Sequence, residues 1–337
     1  MKKHPFCVVT TIQQPTPAVF DLSQRFSNSL VVVGDKKTPK EWALSGVNFI
    51  PCPPWLPQKY EFEDHAPVNH YARKNLGYLE AMAQGASLIY DTDDDNLPND
   101  VWRMRGEKVV KVDMVRKSGW CNVYEYFYPG VQSIWPRGFA LEEIGRFVPA
   151  EDVRSISAPI QQGMVDGNPD VDAIWRLVMP PLQSSEVFSV HRCIGLAKGV
   201  WCPFNSQTTW WWPEAYPLMY LPATAPFRMT DIWRSFVAQR CLWELGKGVV
   251  FHSPAEVVQK RNVHNLLDDF KDEVPGYLNN GRIAEILMKV KLDKGVKAIP
   301  FNMVDCYAAL VRADIVSKKE LYGLLAWVED IKKIWKH

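Results

Sequence analysis

Four aspartates stand within five positions of Ile89-Tyr90-Asp91-Thr92-Asp93-Asp94-Asp95-Asn96, directly after an apolar run. Carboxylates this close repel and raise one another's pKa unless a cation lies among them. Mg²⁺ and Mn²⁺ take oxygen ligands, commonly one or two carboxylates completed by substrate phosphates. An Asp-x-Asp at the end of a buried strand suits a metal held on a nucleoside diphosphate. On an exposed loop the same string is only a solvated acidic turn. The spacing is not that of an EF-hand, which needs Gly at its sixth position and Glu at its twelfth. His70, Arg73, Lys74 and Asn75 open the helical stretch ahead of that strand, where a diphosphate is well received, or else they form a solvated face. Asp35, after Gly34, is placed to accept hydrogen bonds from a base or ribose, or to form a turn.

A second group lies downstream. Arg228-Met229-Thr230-Asp231-Ile232-Trp233-Arg234 opens a helix. Thr230 or Asp231 is either its N-cap, or Asp231 is a general base that takes a proton from an attacking hydroxyl. His252, Lys260, Arg261 and His264 follow, each able to complete a metal shell or touch phosphate, and each equally able to be structural. Trp135, Trp201 and Trp210–Trp212 sit in proline-rich stretches, where a ring face can stack on a sugar or anchor a loop. Three adjacent tryptophans cannot all face one core, so at least one is expected in a pocket or in solvent.

The elements that must position these groups read as alternating strands and helices. Strands are expected at 6–11, 29–35, 47–51, 86–96 and 249–253, and helices at 19–28, 39–45, 67–84, 231–246, 282–292 and 302–315. Ser317 and Glu320 suggest a capping box for a last helix, 318–336, whose apolar face either packs on the body or rests on a membrane. Such alternation indicates an α/β fold with a mostly parallel sheet flanked by helices, and ligands gather at the carboxyl ends of its strands. Those ends carry Thr10, Thr11, Gly34, Asp35 and the Asp91–Asn96 cluster.

Composition bounds the function. Lys+Arg is 39 against Asp+Glu 38, so the basic surplus a general nucleic-acid binder needs is missing. No apolar run approaches the ~20 residues of a membrane helix. The seven cysteines are scattered with no CxxC pair, which argues against a disulfide framework or zinc finger and for a reducing compartment. The expected location is cytoplasmic, with peripheral membrane or glycan-assembly association left open.

Several stretches together resemble the glycosyltransferase domain of the STELLO family, and more distantly the reversibly glycosylated polypeptides, which are plant arabinopyranose mutases. They are VVVGDKKTP (31–39), HYARKNLGYLEAM (70–82), IYDTDDDN (89–96), IWPRGFAL (134–141), QQGMVDGNPDVDAIWRL (161–177), CPFNSQTTWW (202–211), MTDIWRSFVAQRCLWE (229–244) and QKRNVHNLLDDF (259–270). The matching stretches span about residues 6–272, and the resemblance implies a GT-A fold, expected over residues 1–275 with a nucleotide-binding part at about 1–100 and an acceptor-binding part at about 101–275; the proline and glycines of PGYLNNG (275–281) mark the expected boundary to a helical extension at 276–337. The resemblance also implies a metal-dependent glycosyltransferase of polysaccharide biosynthesis, with Mn²⁺ or Mg²⁺ and a nucleotide diphosphate sugar, UDP by default, and a glycan or lipid-linked glycan acceptor. Asp93, Asp95 and His264 would serve the metal. Thr10, Thr11, Asp35, Lys37, Arg73, Lys74, Asn75, Asp93 and Asp94 would serve the nucleotide. Trp135, Arg137, Asp170, Asp172, Asn205, Ser206, Gln207 and Arg261 would line the sugar and acceptor side, and Asp231 would be the base of an inverting transfer. STELLO proteins are anchored in the Golgi membrane, an anchor the apolar runs of this chain do not supply. Alternatives are a sugar-nucleotide mutase, a non-catalytic nucleotide-sugar-binding scaffold, and a nucleotidyltransferase, which would need a Gly-rich basic loop that the sequence lacks.

Overall fold

The structure, a computed structural model, describes residues 4–53, 57–182, 186–260 and 265–335. The first third supplies β1 (Pro5–Thr11), α1 (Pro17–Arg25), β2 (Leu30–Gly34), β3 (Val47–Ile50), α2 (Lys74–Ala83) and β4 (Leu88–Thr92). The middle adds β5 (Asn96–Pro98), β6 (Val109–Val115), β7 (Gly119–Trp120), α3 (Tyr124–Phe127), β8 (Asp152–Ser157), β9 (Ile160–Asp166), α4 (Ala173–Val178), β10 (Arg192–Leu196), β11 (Val200–Trp201), β12 (Thr208–Trp211), α5 (Thr230–Leu242) and β13 (Val249–Gln259). Three helices close the chain: α6 (Leu266–Lys289), α7 (Ile299–Arg312) and α8 (Glu320–Ile334).

One large sheet runs β3-β2-β1-β4-β12-β9-β13-β10-β6-β8, with β5 paired to β13. The α/β fold with a central sheet and flanking helices is as the sequence indicates. Parallel pairing holds from β3 to β4. Beyond β4 the sheet is mixed, because β12 runs antiparallel to both β4 and β9. That reversal has a consequence for the site. It brings the start of β12, and the Asn205–Gln207 turn before it, beside the carboxyl end of β4: Thr208 pairs with Thr92.

Period-two side-chain alternation explains the tryptophans. Trp210 and Trp212 enter the core on one face of the sheet with Val9, Val32 and Tyr90, and Trp211 enters the core on the other. All three are buried, so the expectation that one is exposed fails. The stretch had been weighed against one core, and the sheet offers two. Residues 210–222 are thus largely packed interior.

Helix α2 lies on the sheet at a glycine. A Cβ on Gly77 would stand 2.6 Å from Val8 Cγ1 and 2.7 Å from Val33 Cγ2, well inside van der Waals contact. Gly85, at φ +83°, ends the helix in the left-handed conformation. The α-helix begins only at Lys74, after a 3₁₀ turn at Tyr71–Arg73, and not at residue 67. Residues 39–45 form turns and not the expected helix. The expected strand 86–96 is two strands, β4 and β5, separated by a turn that carries Asp93–Asp95.

The boundary expected near residue 275 falls inside α6, which continues through Pro275. Gly276 explains the close fit there: a Cβ would collide with Met229 Sδ. Buried Glu273 and Asn280 also bond to the body, Glu273 to Arg228 and Asn280 to Trp233 Nε1. The capping box at Ser317 does not form either. Ser317 Oγ accepts from Lys319 N, but Glu320 turns inward and accepts from the backbone of Ala223 and Thr224 and from Tyr220 Oη. Helix α8 packs on the body, with Leu324, Trp327, Val328 and Ile331 buried and Asp330 accepting from the N–H groups of Glu61 and Phe62. Among the described residues no helix is long and apolar enough to cross a membrane.

Candidate active site

A cavity of about 380 Å³ opens at the carboxyl ends of β1, β2 and β4. This is the place a parallel sheet reserves for ligands. Of the residues singled out from the sequence, it gathers Thr10, Thr11, Asp35, Lys37, Arg73, Asp93, Asp94, Asp95, Arg137, Asp170, Gln207 and Asp231.

The acidic wall is built by the turn between β4 and β5. Thr11 Oγ1 donates to Asp94 Oδ2 at 2.6 Å, and Thr16 Oγ1 donates to the Asp94 carbonyl. Tyr71 Oη donates to Asp93 Oδ1 at 2.5 Å. Gln259, at the end of β13, donates to Asp95 Oδ2 at 3.1 Å. Burial pushes the Asp95 carboxyl up to about 7, reinforced by Asp93 and Asp94. Burial likewise pushes Asp94 up to about 6, against the pull of the Thr11 hydroxyl.

Asp95 Oδ1 is buried and has no hydrogen-bond partner. An orphaned carboxylate oxygen is expensive in a protein interior and fits a ligand that is a cation. The residues present therefore suit a hard divalent ion at Asp93 and Asp95. Among the described residues no three His, Cys, Asp or Glu side chains converge on one point. His264 and Arg261 lie outside the described residues.

Lys74 and Asn75 do not reach the cavity. Lys74 is fully buried beneath it, 2.7 Å from Asp91 Oδ1 and 3.1 Å from Asp93 Oδ1, and donates to the Thr92 carbonyl. Burial disfavours its charge, yet the two carboxylates hold its pKa well above the usual lysine value. Its role is to neutralise the acidic turn from below, so it is not available to a leaving diphosphate. Asn75 exchanges two hydrogen bonds with the Leu221 backbone, at 2.8 and 2.9 Å, and pins the 210–222 stretch to α2. Arg73 does line the cavity, with its Nε bonded to the Gly34 carbonyl. Asp35 accepts from the N–H groups of Lys36, Asn69 and His70, fixing the loop that leads into α2.

The opposite wall centres on Arg137. Its guanidinium meets Asp170 at 2.8 and 2.9 Å and Asp231 at 3.1 and 3.2 Å, all buried. Burial alone would raise Asp170, but the Arg137 charge outweighs it and holds the carboxyl down to about 2. Asp231 lies in the first turn of α5; Met229 occupies the N-cap position, and neither Thr230 nor Asp231 does. Asp231 also accepts from Ser206 N at 3.3 Å. Asn205 donates to Asp170 at 2.7 Å, and Ser206 Oγ accepts from Arg234 at 2.8 Å. Both residues brace the carboxylates from behind; only Gln207 of the three reaches the cavity.

Asp172 and Trp135 also stand apart from the cavity. Asp172 caps α4 through Trp175 N and accepts from Trp135 Nε1 at 2.7 Å. Burial pushes its carboxyl up to about 6. Trp135 and Trp201 are buried, so among the described residues no tryptophan lines the cavity. His252 is buried between Cys193 and Gln161, with no contact to the acidic turn, and its pKa is well below the usual imidazole value because of burial.

The sequence gives no site role to Tyr71, Gln259, Arg176 or Phe227, all of which line the cavity. Gln259 had a findable signal, since it opens the QKRNVHN stretch. Phe227 had none, because one aromatic before an arginine is indistinguishable from core.

Comparison with known proteins follows this geometry closely in class. Residues 228–336 match the family model described as STELLO glycosyltransferases. The chain is 27% identical over 342 residues to "Probable glycosyltransferase STELLO1" of Arabidopsis thaliana, and 29% identical over 343 residues to "Probable glycosyltransferase STELLO2" of the same plant. Each alignment takes in 96% of this chain and 44% of the relative, so the chain spans under half the length of the curated relatives it matches. A mannosyltransferase, PcManGT from Pyrobaculum calidifontis in complex with GDP-Man and Mn²⁺, aligns over 96% of this chain and 78% of its own at 11% identity and a TM-score of 0.39, a likeness too distant to bear on fold or ligand. The matched family model and both relatives are named as glycosyltransferases, the relatives as probable ones. More particularly, the chain is similar to the STELLO glycosyltransferases, as the sequence motifs imply.

Proposed function

We propose that this chain transfers a sugar from a nucleotide diphosphate sugar to a glycan acceptor in a metal-dependent, inverting reaction. The observation that carries the reading is the pairing of two unlike walls across one cavity: a turn of three carboxylates with an orphaned oxygen on Asp95, and a carboxylate, Asp231, clamped by Arg137. Asp93 and Asp95 would hold Mn²⁺ or Mg²⁺. When bound, the ion supplies charge stabilisation at the departing diphosphate. Thr10, Thr11, Asp35, Lys37 and Arg73 bind and orient the nucleotide. Asp231 accepts the proton of the acceptor hydroxyl as that oxygen attacks the anomeric carbon from the side opposite the diphosphate. Arg137 holds the Asp231 carboxylate in position, and Asp170 and Gln207 contact the sugar or acceptor.

The test is thermal stabilisation of the protein by UDP, GDP and their sugars, each with and without Mn²⁺. Binding to the native state raises the melting temperature by mass action. A metal-dependent rise with one nucleotide supports the reading. No rise with any nucleotide overturns it and favours a scaffold.

A further inference from the structure

Phe227 is a large apolar side chain left bare in a part of the molecule that is otherwise locked. Its ring lines the cavity and is 50% exposed, whereas every tryptophan of the proline-rich stretches described here is buried. An isolated exposed aromatic on a loose loop would need no explanation. This one is not on a loose loop. It opens a 3₁₀ turn, Phe227–Met229, in which Met229 N donates to the Pro226 carbonyl at 2.8 Å. Its neighbour Arg228 is bonded twice to buried Glu273, at 2.7 and 3.0 Å. Met229 is fully buried against Gly276 of α6. The backbone on either side is therefore fixed while the ring is held in the cavity.

The ring also has a defined place between the two walls. It meets the Tyr71 ring nearly edge-on, with centroids 6.3 Å apart, and Tyr71 Oη is bonded to Asp93. On the other side it stands four residues before Asp231, at the head of α5. The His70 ring, 5.9 Å away at 81°, buttresses it. A ligand whose diphosphate lies at Asp93 and whose reacting carbon faces Asp231 occupies the same cavity that Phe227 lines. The C–H face of a pyranose is apolar, and a rigid aromatic is its natural complement.

We propose that Phe227 is the stacking platform for the transferred sugar, and so a specificity-determining residue. This rests on the glycosyltransferase reading and goes further by assigning the sugar subsite to an aromatic that the sequence did not mark. A nucleobase would offer the same ring the same kind of apolar face, and the experiment separates the two.

The affinities of UDP, GDP, UDP-glucose, UDP-galactose and GDP-mannose are measured by calorimetry with Mn²⁺ for the wild-type chain and for Phe227→Ala and Phe227→Trp. The expected result is that Phe227→Ala weakens the preferred nucleotide sugar by about 3- to 10-fold and leaves the parent diphosphate unchanged. Phe227→Trp retains the advantage of the sugar. Equal weakening of the diphosphate and its sugar would assign the ring to the base and overturn the proposal. Unchanged affinities would overturn it as well, as would a wild-type chain that gains nothing from the sugar; in both cases the donor site itself stands. If no nucleotide binds the wild-type chain, the glycosyltransferase reading falls, and this inference with it. The half-exposed ring contributes little to the core, so the melting temperature of the unliganded variants serves as the control for folding.

Discussion

Replacing Arg137 by methionine removes one charge from between two carboxylates while keeping most of the side-chain volume. The guanidinium makes four hydrogen bonds to Asp170 and Asp231, and all three side chains are at most 8% exposed. The carboxyl of Asp170 is held down to about 2 from an ordinary 3.8. At about 1.4 kcal/mol per unit, its share alone is roughly 2 kcal/mol. Breaking a buried pair from one side costs about 3–5 kcal/mol, because the remaining charges lose their partner. The Arg137→Met variant should therefore lose about 3–5 kcal/mol at neutral pH. The sign of the pH dependence follows from linkage. In the wild type the lowered pKa contributes stability above the unfolded carboxyl's value, near 4, and that share is lost only as pH falls through about 2. In the variant, Asp170 faces Asp231 with no cation between them, so its folded pKa rises above the unfolded one. Protonation then favours the folded variant, and the deficit narrows as pH falls from about 7 to about 4. Urea unfolding of both proteins across that range measures it. A deficit under about 1 kcal/mol, or one equal at both ends, would refute the electrostatic account and leave Arg137 a packing residue.

Asp95→Ala should abolish the Mn²⁺-dependent part of nucleotide binding in calorimetry while leaving the protein folded, since of the two oxygens it removes Oδ1 has no partner and Oδ2 accepts only from Gln259; metal-dependent binding that survives unchanged would contradict the metal assignment. In the wild type, Mn²⁺ affinity should rise between about pH 6 and about pH 8, because Asp95, pushed up to about 7, must lose its proton to solvent before its carboxylate can bind the metal; equal affinity at both ends would count against it. Asp231→Asn should keep nucleotide binding and lose turnover with acceptor, and unchanged turnover would remove Asp231 from the base role. Gly77→Val should destabilise by about 1–3 kcal/mol or more in urea unfolding, because α2 must lift off Val8 and Val33; a neutral result would mean that the helix sits more loosely than its contacts indicate.

The cavity was legible where chemistry and strand ends coincide. Thr11, Asp35 and Asp93–Asp95 were found because a buried strand ending in charge has few other uses. Lys74 and Asn75 were misplaced because helix position fixes a direction only to within a turn, and both point into the body. Asp172 and Trp135 satisfy each other, a pairing across 37 positions that no local pattern records. The mixed half of the sheet was not visible, because antiparallel and parallel strands share the same period. The boundary near residue 275 was drawn at Pro275 and two glycines, residues that usually end helices. In α6 the missing side chain of Gly276 is what the packing requires, and tertiary contact overrides propensity.

Glu273 binds more than a neighbour. One carboxylate oxygen accepts from Nε and Nη2 of Arg228, and the other accepts from Ala173 N, at the head of α4, and from Tyr277 Oη. A single buried side chain on α6 thus sets the spacing between the 3₁₀ turn that carries Phe227 and the segment that carries Asp170. Hybrids joined within this helix would inherit a cavity and a helical layer tuned to different widths. Such grafts would fold around a misaligned pocket, whereas exchanges made at the Gly295 turn, beyond the last of these bonds, leave the alignment whole.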